Sequence, residues 1–303
     1  MKTMINLTTS AGDLSRFSSA KDLRDFYQRF GCAGLELMPL PAEDVQLEKQ
    51  ILSPDMIVGV HTNSLGDWMY KDRPWLLEHF RRDLVYAQQV QAEYVVFHVS
   101  QVTDKEAFTY QMQHRDEEVI WEACHLINQL LEEQSYSFYF LLENLWWPGL
   151  TFLDPAMTKL LLENIHYEKK GLMLDTGHFL HTHRKLKNQQ EAISCLHAML
   201  DTHQELLPFI KGVHLQQSLT GSYVNHWLEN PPVLESDPEK RFCQVFTHIF
   251  AIDRHEPFTD PGVRDLIARI QPLYLTYEYI TRDREEHARY LRAGSQALGY
   301  FPL

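Results

Sequence analysis

Cysteine is sparse in this chain. Its four cysteines, Cys32, Cys124, Cys195 and Cys243, form no CxxC pair. They read as reduced thiols in a cytoplasmic protein. Long apolar runs are also missing, with none near the ~18 residues that cross a bilayer. The first residues lack the charged-then-apolar pattern of a secretory signal, so no membrane partner is expected. Basic residues are in deficit: 28 Lys and Arg stand against 41 Asp and Glu, a net charge of -13. A broad DNA-coating surface is therefore disfavoured. A local metal-lined site is not, because bound cations invert the local field. No GxGxxG turn follows the first strand-like run, which argues against an open doubly wound sheet. Internal repeats and low-complexity linkers are absent as well.

What is present is a regular alternation. Hydrophobic residues make up 44% and charged residues 23%, enough for a large core. Short apolar runs read as strands: Met4–Leu7, Ala33–Leu37, Met56–Val60, Tyr94–Phe97, Phe138–Leu142, Gly171–Leu174, Lys211–Val213 and Leu273–Tyr277. Amphipathic stretches read as helices: Ala20–Phe30, Ala42–Ile51, Pro74–Gln91, Glu117–Glu133, Pro155–Asn164, Gln190–Leu206, Pro261–Ile270 and Arg284–Ala297. The runs are continuously apolar, as parallel strands buried on both faces require. The pattern predicts one α/β domain over 1–303, a (β/α)8 TIM barrel. One connection is long: 38 residues separate His214 from Asp253. Ser236, Pro238 and Glu239 predict an extra helix over Pro238–Phe250 within an insertion at about 215–252.

Histidine is plentiful, at 16 residues. Several stand where strands end. His61 closes the third strand, His98 the fourth, Glu143 the fifth, Asp175 the sixth and His214 the seventh, and Glu278 the eighth; His178 follows Asp175 by three. In a barrel these ends converge on the rim that carries chemistry. Unpaired, such buried imidazoles and carboxylates would be costly together, and divalent cations offset that cost. Mixed imidazole and carboxylate sets suit zinc, manganese or iron(II). By contrast His79, His125, His197, His203 and His287 fall within helical runs and read as structural. His181 and His183 follow His178 closely and either line the site or read as surrounding or surface residues.

These residues resemble the xylose-isomerase-like barrel superfamily, and within it the endonuclease IV (AP endonuclease family 2) branch. Leu174-Asp175-Thr176-Gly177-His178 is similar to that branch's Asp-Thr-x-His segment, and Asp253-Arg254-His255-Glu256 to its Asp-Arg-His-Glu segment. The resemblance implies up to three linked metal ions, zinc foremost. His61, His98 and Glu143 would hold one. Glu143, Asp175, His214 and Glu278 would hold a second, with Glu143 bridging. His178, Asp253 and His255 would hold the third.

The chain departs from that branch around these ligands. The stretch Glu36-Leu37-Met38-Pro39-Leu40 has no arginine where a DNA-contacting loop is expected, and Leu215-Gln216-Gln217 replaces an Asn-Asp pair. Glu36 instead resembles the strand-two glutamate of the sugar-isomerase branch. The expectation is a metal-dependent hydrolase, a phosphodiesterase for a small or medium non-DNA phosphodiester such as a cobamide-type substrate. Glu143 and Glu278 would be its catalytic carboxylates, and Glu36, Trp68, Trp146 and Arg254 its substrate contacts. The aromatic residues Tyr70, Trp75, Trp147, Tyr223 and Trp227 either line the rim or pack its loops. The alternatives are a sugar or sugar-phosphate isomerase or epimerase, with Glu143 and Glu278 as an acid/base pair, and an apurinic endonuclease. Nucleic acid is the weaker partner, given the net charge and the acidic residues Glu229, Glu235, Asp237 and Glu239 in the insertion.

Overall fold

A computed structural model describes residues 1–41, 44–132 and 134–300. Eight strands pair in parallel and close on themselves in sequence order: β1 Lys2–Thr8, β2 Gly34–Met38, β3 Ile57–His61, β4 Tyr94–His98, β5 Tyr139–Glu143, β6 Lys170–Asp175, β7 Ile210–His214 and β8 Tyr274–Tyr277. This is the (β/α)8 barrel. The expected strands are all found, with no end shifted by more than two residues.

Residue parity along the strands explains how the site is built. Successive side chains point to opposite faces of a strand. In β4, Tyr94 and Val96 face the barrel interior while Val95 and Phe97 pack outward under the helices. In β5, Leu141 faces inward and Phe140 and Leu142 outward. Continuing the alternation turns His98 and Glu143 inward, and the register sets them side by side. The same count turns Asp175 and His214 inward as a register pair. The floor beneath them is a small apolar layer of Met4, Tyr94, Val96, Leu141, Met173 and Tyr274. Gly59 makes room for it: a Cβ there would lie 2.1 Å from the Tyr94 ring.

The outer helices include Ala20–Gln28, Arg73–Gln89, Asp116–Glu132, Pro155–Asn164, Gln189–Thr202, Val263–Ile270 and Arg284–Ala297. Each of these ends within a few residues of its expected place except Gln189–Thr202. Its last expected residues form a separate 3-10 helix, Gln204–Phe209, which contains Pro208. Residues 42, 43 and 133, at the ends of two expected helices, lie outside the described residues. No helix among the described residues is long and apolar enough to cross a membrane. The cysteines are free, with Cys32 and Cys124 buried.

The insertion holds more structure than expected. Its predicted helix runs Pro238–Ile252, capped by Asp237. A second helix, Gly221–Glu229, starts at Thr220 with no side-chain cap bond, so no cap signal announced it. Both dock through Trp227, Val245 and Ile249 onto Val102, Phe108, Leu145 and Trp147, a satellite core over the loops that follow β4 and β5.

One core residue makes folding pH-dependent. His287 is 2% exposed, packs 5.4 Å from the Phe26 ring, and neither ring nitrogen has a hydrogen-bond partner. Burial, with the Arg16 charge adding to it against Asp13, lowers its pKa to about 4 from 6.5. The unfolded chain therefore takes up this proton first as the pH falls. The stabilisation is complete above about pH 6.5 and is lost towards pH 4, on the order of 3 kcal/mol. His287→Phe should flatten the melting temperature against pH across this window. An unchanged slope would reject the assignment.

Candidate metal centre

The strand ends bring the expected residues into one cluster. Glu143 lies at its middle, 0% exposed. Its Oε2 is 3.1 Å from His61 Nε2 and 3.1 Å from His98 Nε2; its Oε1 is 2.9 Å from His214 Nδ1 and 3.4 Å from His178 Nδ1. Glu143, Asp175, His214 and Glu278 present ligand atoms within 4.8 Å of one another, as do His178, Asp253 and His255. The remaining expected set is distributed differently. His61 groups with Glu143 and His214, and His98 groups with Glu143 and His178.

Local structure orients each ligand. Asp175 ends β6 and caps the short helix Thr176–His181, accepting the His178 N–H at 2.6 Å. This start places His178 and His181 one turn apart, and both reach Asp253: His178 Nε2 is 3.0 Å from Oδ2, and His181 Nε2 is 3.1 Å from Oδ1. Asn144 pins the β6 end by accepting the Asp175 N–H at 2.9 Å and donating back to its carbonyl at 3.1 Å. Asp253-Arg254-His255 is held beside the loop after β7 by paired backbone bonds between Gln217 and Glu256, 2.8 and 3.0 Å. His255 has φ 49°, a left-handed conformation that costs a non-glycine residue about 1–3 kcal/mol. Such strain persists only where surrounding contacts impose it.

The donor set fits a divalent cation. His61, His178 and His255 each set Nδ1 on a backbone carbonyl, of Thr62, Asn144 and Glu278, at 2.8, 2.9 and 2.9 Å. Each then turns Nε2 toward a carboxylate oxygen. Metal-binding histidines are commonly fixed in this way. A proton or a cation must lie between such a nitrogen and such an oxygen. Glu278 Oε2 is buried with no hydrogen-bond partner.

The electrostatics agree. Burial opposes the Glu143 carboxylate, but the His214 and His98 imidazoles outweigh it and hold its pKa well below the usual range. Burial, with Glu278, Glu143 and Asp253 nearby, drives Asp175 well above its usual range against the pull of His178. Burial also disfavours charged His255, yet Asp253 and Glu278 raise it to about 9. Without metal, imidazolium protons compensate the carboxylates; a divalent cation would displace them.

The expected substrate contacts separate. Glu36 lies inside the barrel, with Tyr94 Oη and Thr276 Oγ1 donating to its Oε2 at 2.7 and 2.9 Å and His214 Nε2 at 2.9 Å from its Oε1. Trp68 is 2% exposed and donates its indole N–H to the Ser100 carbonyl at 2.6 Å, so it packs loops. Trp146 is half-buried, its ring 5.3 Å from His178 and 4.8 Å from His181. Arg254 is exposed, its backbone N–H bound to Ser218 Oγ at 2.8 Å. Of the rim aromatics, Tyr70 and Trp75 are exposed, while Trp147 and Trp227 pack the insertion. Sequence reasoning left His181 between the surroundings of the site and the surface, and gave Gln216 no role; the structure sets both against Asp253. The i, i+3 spacing of His178 and His181 was the available signal for the first.

No protein-family model and no curated protein matches the chain. Solved structures do. An L-ribulose 3-epimerase shares 13% identity over 98% of this chain and 95% of its own, at a TM-score of 0.57. A D-psicose 3-epimerase, solved in the presence of D-fructose, shares 12% over 99% and 98%, at 0.56. The probable 3-DHS dehydratase AsbF of Bacillus anthracis shares 17% over 98% of each chain, at 0.52. Each aligns over nearly the whole barrel. At these identities the likeness establishes the fold.

The phosphodiesterase and hydrolase expectation is corrected by these neighbours, which are mainly sugar epimerases with a dehydratase. Nor do the neighbours single out the endonuclease branch or its three-metal arrangement. The physical reason is that Asp253-Arg254-His255 specifies a cluster of donors, and one such cluster serves many chemistries.

Proposed function

We propose that the protein is a metal-dependent isomerase or epimerase acting on a sugar or sugar phosphate. The observation that carries this reading is the placement of Glu143 and Glu278. They reach the centre from β5 and β8, on well-separated parts of the barrel wall, and approach His214 Nδ1 at 2.9 and 3.3 Å. Two carboxylates converging from different sides suit proton transfer at one carbon. Glu143, Asp175, His214 and Glu278 would hold the cation, which when bound polarises the adjacent carbonyl and hydroxyl oxygens of a substrate. One glutamate takes the proton from the carbon next to the carbonyl. The other returns a proton to the opposite face, which inverts the centre. Return to the neighbouring carbon instead exchanges ketose for aldose. Glu36 holds the far side of His214 and stops the ring from turning. Trp146 offers an apolar wall and Arg254 a rim charge for an anionic substituent.

His178, Asp253 and His255, with His61 and His98 beyond Glu143, give room for a second and a third cation. Zinc, manganese and iron(II) all suit these donors. The nearness in fold to the L-ribulose and D-psicose 3-epimerases supports a sugar substrate.

A panel of pentuloses, hexuloses and their phosphates, incubated with protein and Mn2+, Zn2+ or Fe2+, tests the proposal. A new epimer or isomer is expected, and none after chelation. Hydrolysis of bis(p-nitrophenyl) phosphate without any sugar interconversion would overturn the reading.

A further inference from the structure

The side-chain amide of Gln216 joins two parts of the cluster. Gln216 is 0% exposed, in the loop after β7. Its Nε2 is 3.0 and 3.2 Å from the two oxygens of Asp175 and 3.2 Å from Asp253 Oδ1. Asp175 belongs to the Glu143, His214 and Glu278 group, and Asp253 to the His178 and His255 group. One neutral amide thus donates to a carboxylate from each.

Its position is closely set. Thr176 Oγ1 donates to the Gln216 carbonyl at 2.6 Å and accepts its N–H at 3.2 Å. The amide lies against Gly177, where a Cβ would stand 2.1 Å from Gln216 Oε1. Any other residue at 177 would push the amide away.

The contacts divide the oxygens of Asp253 by task. Oδ2 faces His178 Nε2 and His255 Nε2 at 3.0 and 2.8 Å. Oδ1 faces His181 Nε2 and Gln216 Nε2 at 3.1 and 3.2 Å. One oxygen is turned to the ligand imidazoles and the other is held by the surroundings. Asp175 is held less selectively: its Oδ1 takes the His178 N–H at 2.6 Å and the Gln216 amide at 3.0 Å, and the same amide lies 3.2 Å from its Oδ2. An amide suits this task because it donates without adding charge. A lysine or arginine would compete with the cation, and a carboxylate would add repulsion.

We propose that Gln216 is a positioning residue shared by two metal positions, so that losing its amide weakens metal retention at both together. This rests on the metal-dependent reading above. His181, which bonds to Asp253 but not to Asp175, provides the contrast.

The test is competition of zinc-loaded, full-length protein against a chromogenic chelator, with elemental analysis for stoichiometry. Wild-type protein should hold at least two equivalents. Gln216→Met should weaken both classes of site, by about 10- to 100-fold each, the usual effect of losing a partner that orients a ligand. His181→Phe should weaken one class and spare the other. If Gln216→Met does not fold, Gln216→Asn applies, since its amide, one methylene shorter, is drawn back from both carboxylates, and the same joint loss is expected. Wild-type binding of a single equivalent, or a Gln216 variant that leaves either class unchanged, overturns the shared role while leaving metal-dependent catalysis standing. A wild-type protein that binds no zinc, manganese or iron overturns both.

Discussion

Glu143→Gln should reduce sugar interconversion by at least about 10³-fold while the barrel stays folded, within the range expected when an acid/base group is lost. The effect is large because Glu143 has several tasks. Its two oxygens face His61, His98, His214 and His178, all within 3.4 Å. An amide there turns N–H groups toward ring nitrogens and removes the charge on which those imidazoles depend. The ligand set loses a donor and the proton transfer loses a partner. Kinetics, metal content and circular dichroism, measured on one preparation, check this. Activity within tenfold of wild type would remove Glu143 from the chemistry.

Stripping the metal should lower the melting temperature by about 3–5 °C, with recovery on adding Zn2+ or Mn2+. Binding to the folded state alone contributes about 2.7 kcal/mol at a hundredfold excess over Kd, and each kcal/mol moves a chain of this size by about 1.5 °C. The structure explains the direction. Glu143, Asp175, Asp253 and Glu278 are all buried within one cluster. Asp175 is pushed up by burial and by its carboxylate neighbours, and Glu278 Oε2 lacks a hydrogen-bond partner. Mg2+ should restore less than Zn2+, because imidazole-rich sites favour the later first-row ions. A melting temperature indifferent to chelation would mean that the imidazoles alone compensate the carboxylates.

The strand ends were legible because parity is legible. In β4 and β5 the alternation that buries Val95, Phe97, Phe140 and Leu142 outward also turns His98 and Glu143 inward. The short helix after β6 follows from Asp175 acting as its cap. Residues whose importance lies in their partners were not legible. Gln216 looked like a missing Asn-Asp pair, and only the closed barrel places it between Asp175 and Asp253. His181 looked peripheral until Asp253 arrived from 72 residues away. Trp68 read as a rim aromatic, but its indole N–H is spent on Ser100, across a loop contact that no local pattern reveals. Helix Gly221–Glu229 went unforeseen for want of a capping side chain. The chemistry was misread for a different reason. Asp253-Arg254-His255 identifies ligands, whereas the substrate is chosen by surrounding walls that share no short motif.

The most direct test of the account is proton exchange at carbon. Metal-loaded protein is incubated in D2O with a panel of ketoses and ketose phosphates, and the carbon next to the carbonyl is followed by NMR. Deuterium is expected at that carbon in at least one member, absent after chelation and in Glu143→Gln. Protein that retains its metal yet exchanges no carbon-bound hydrogen in any member would contradict it.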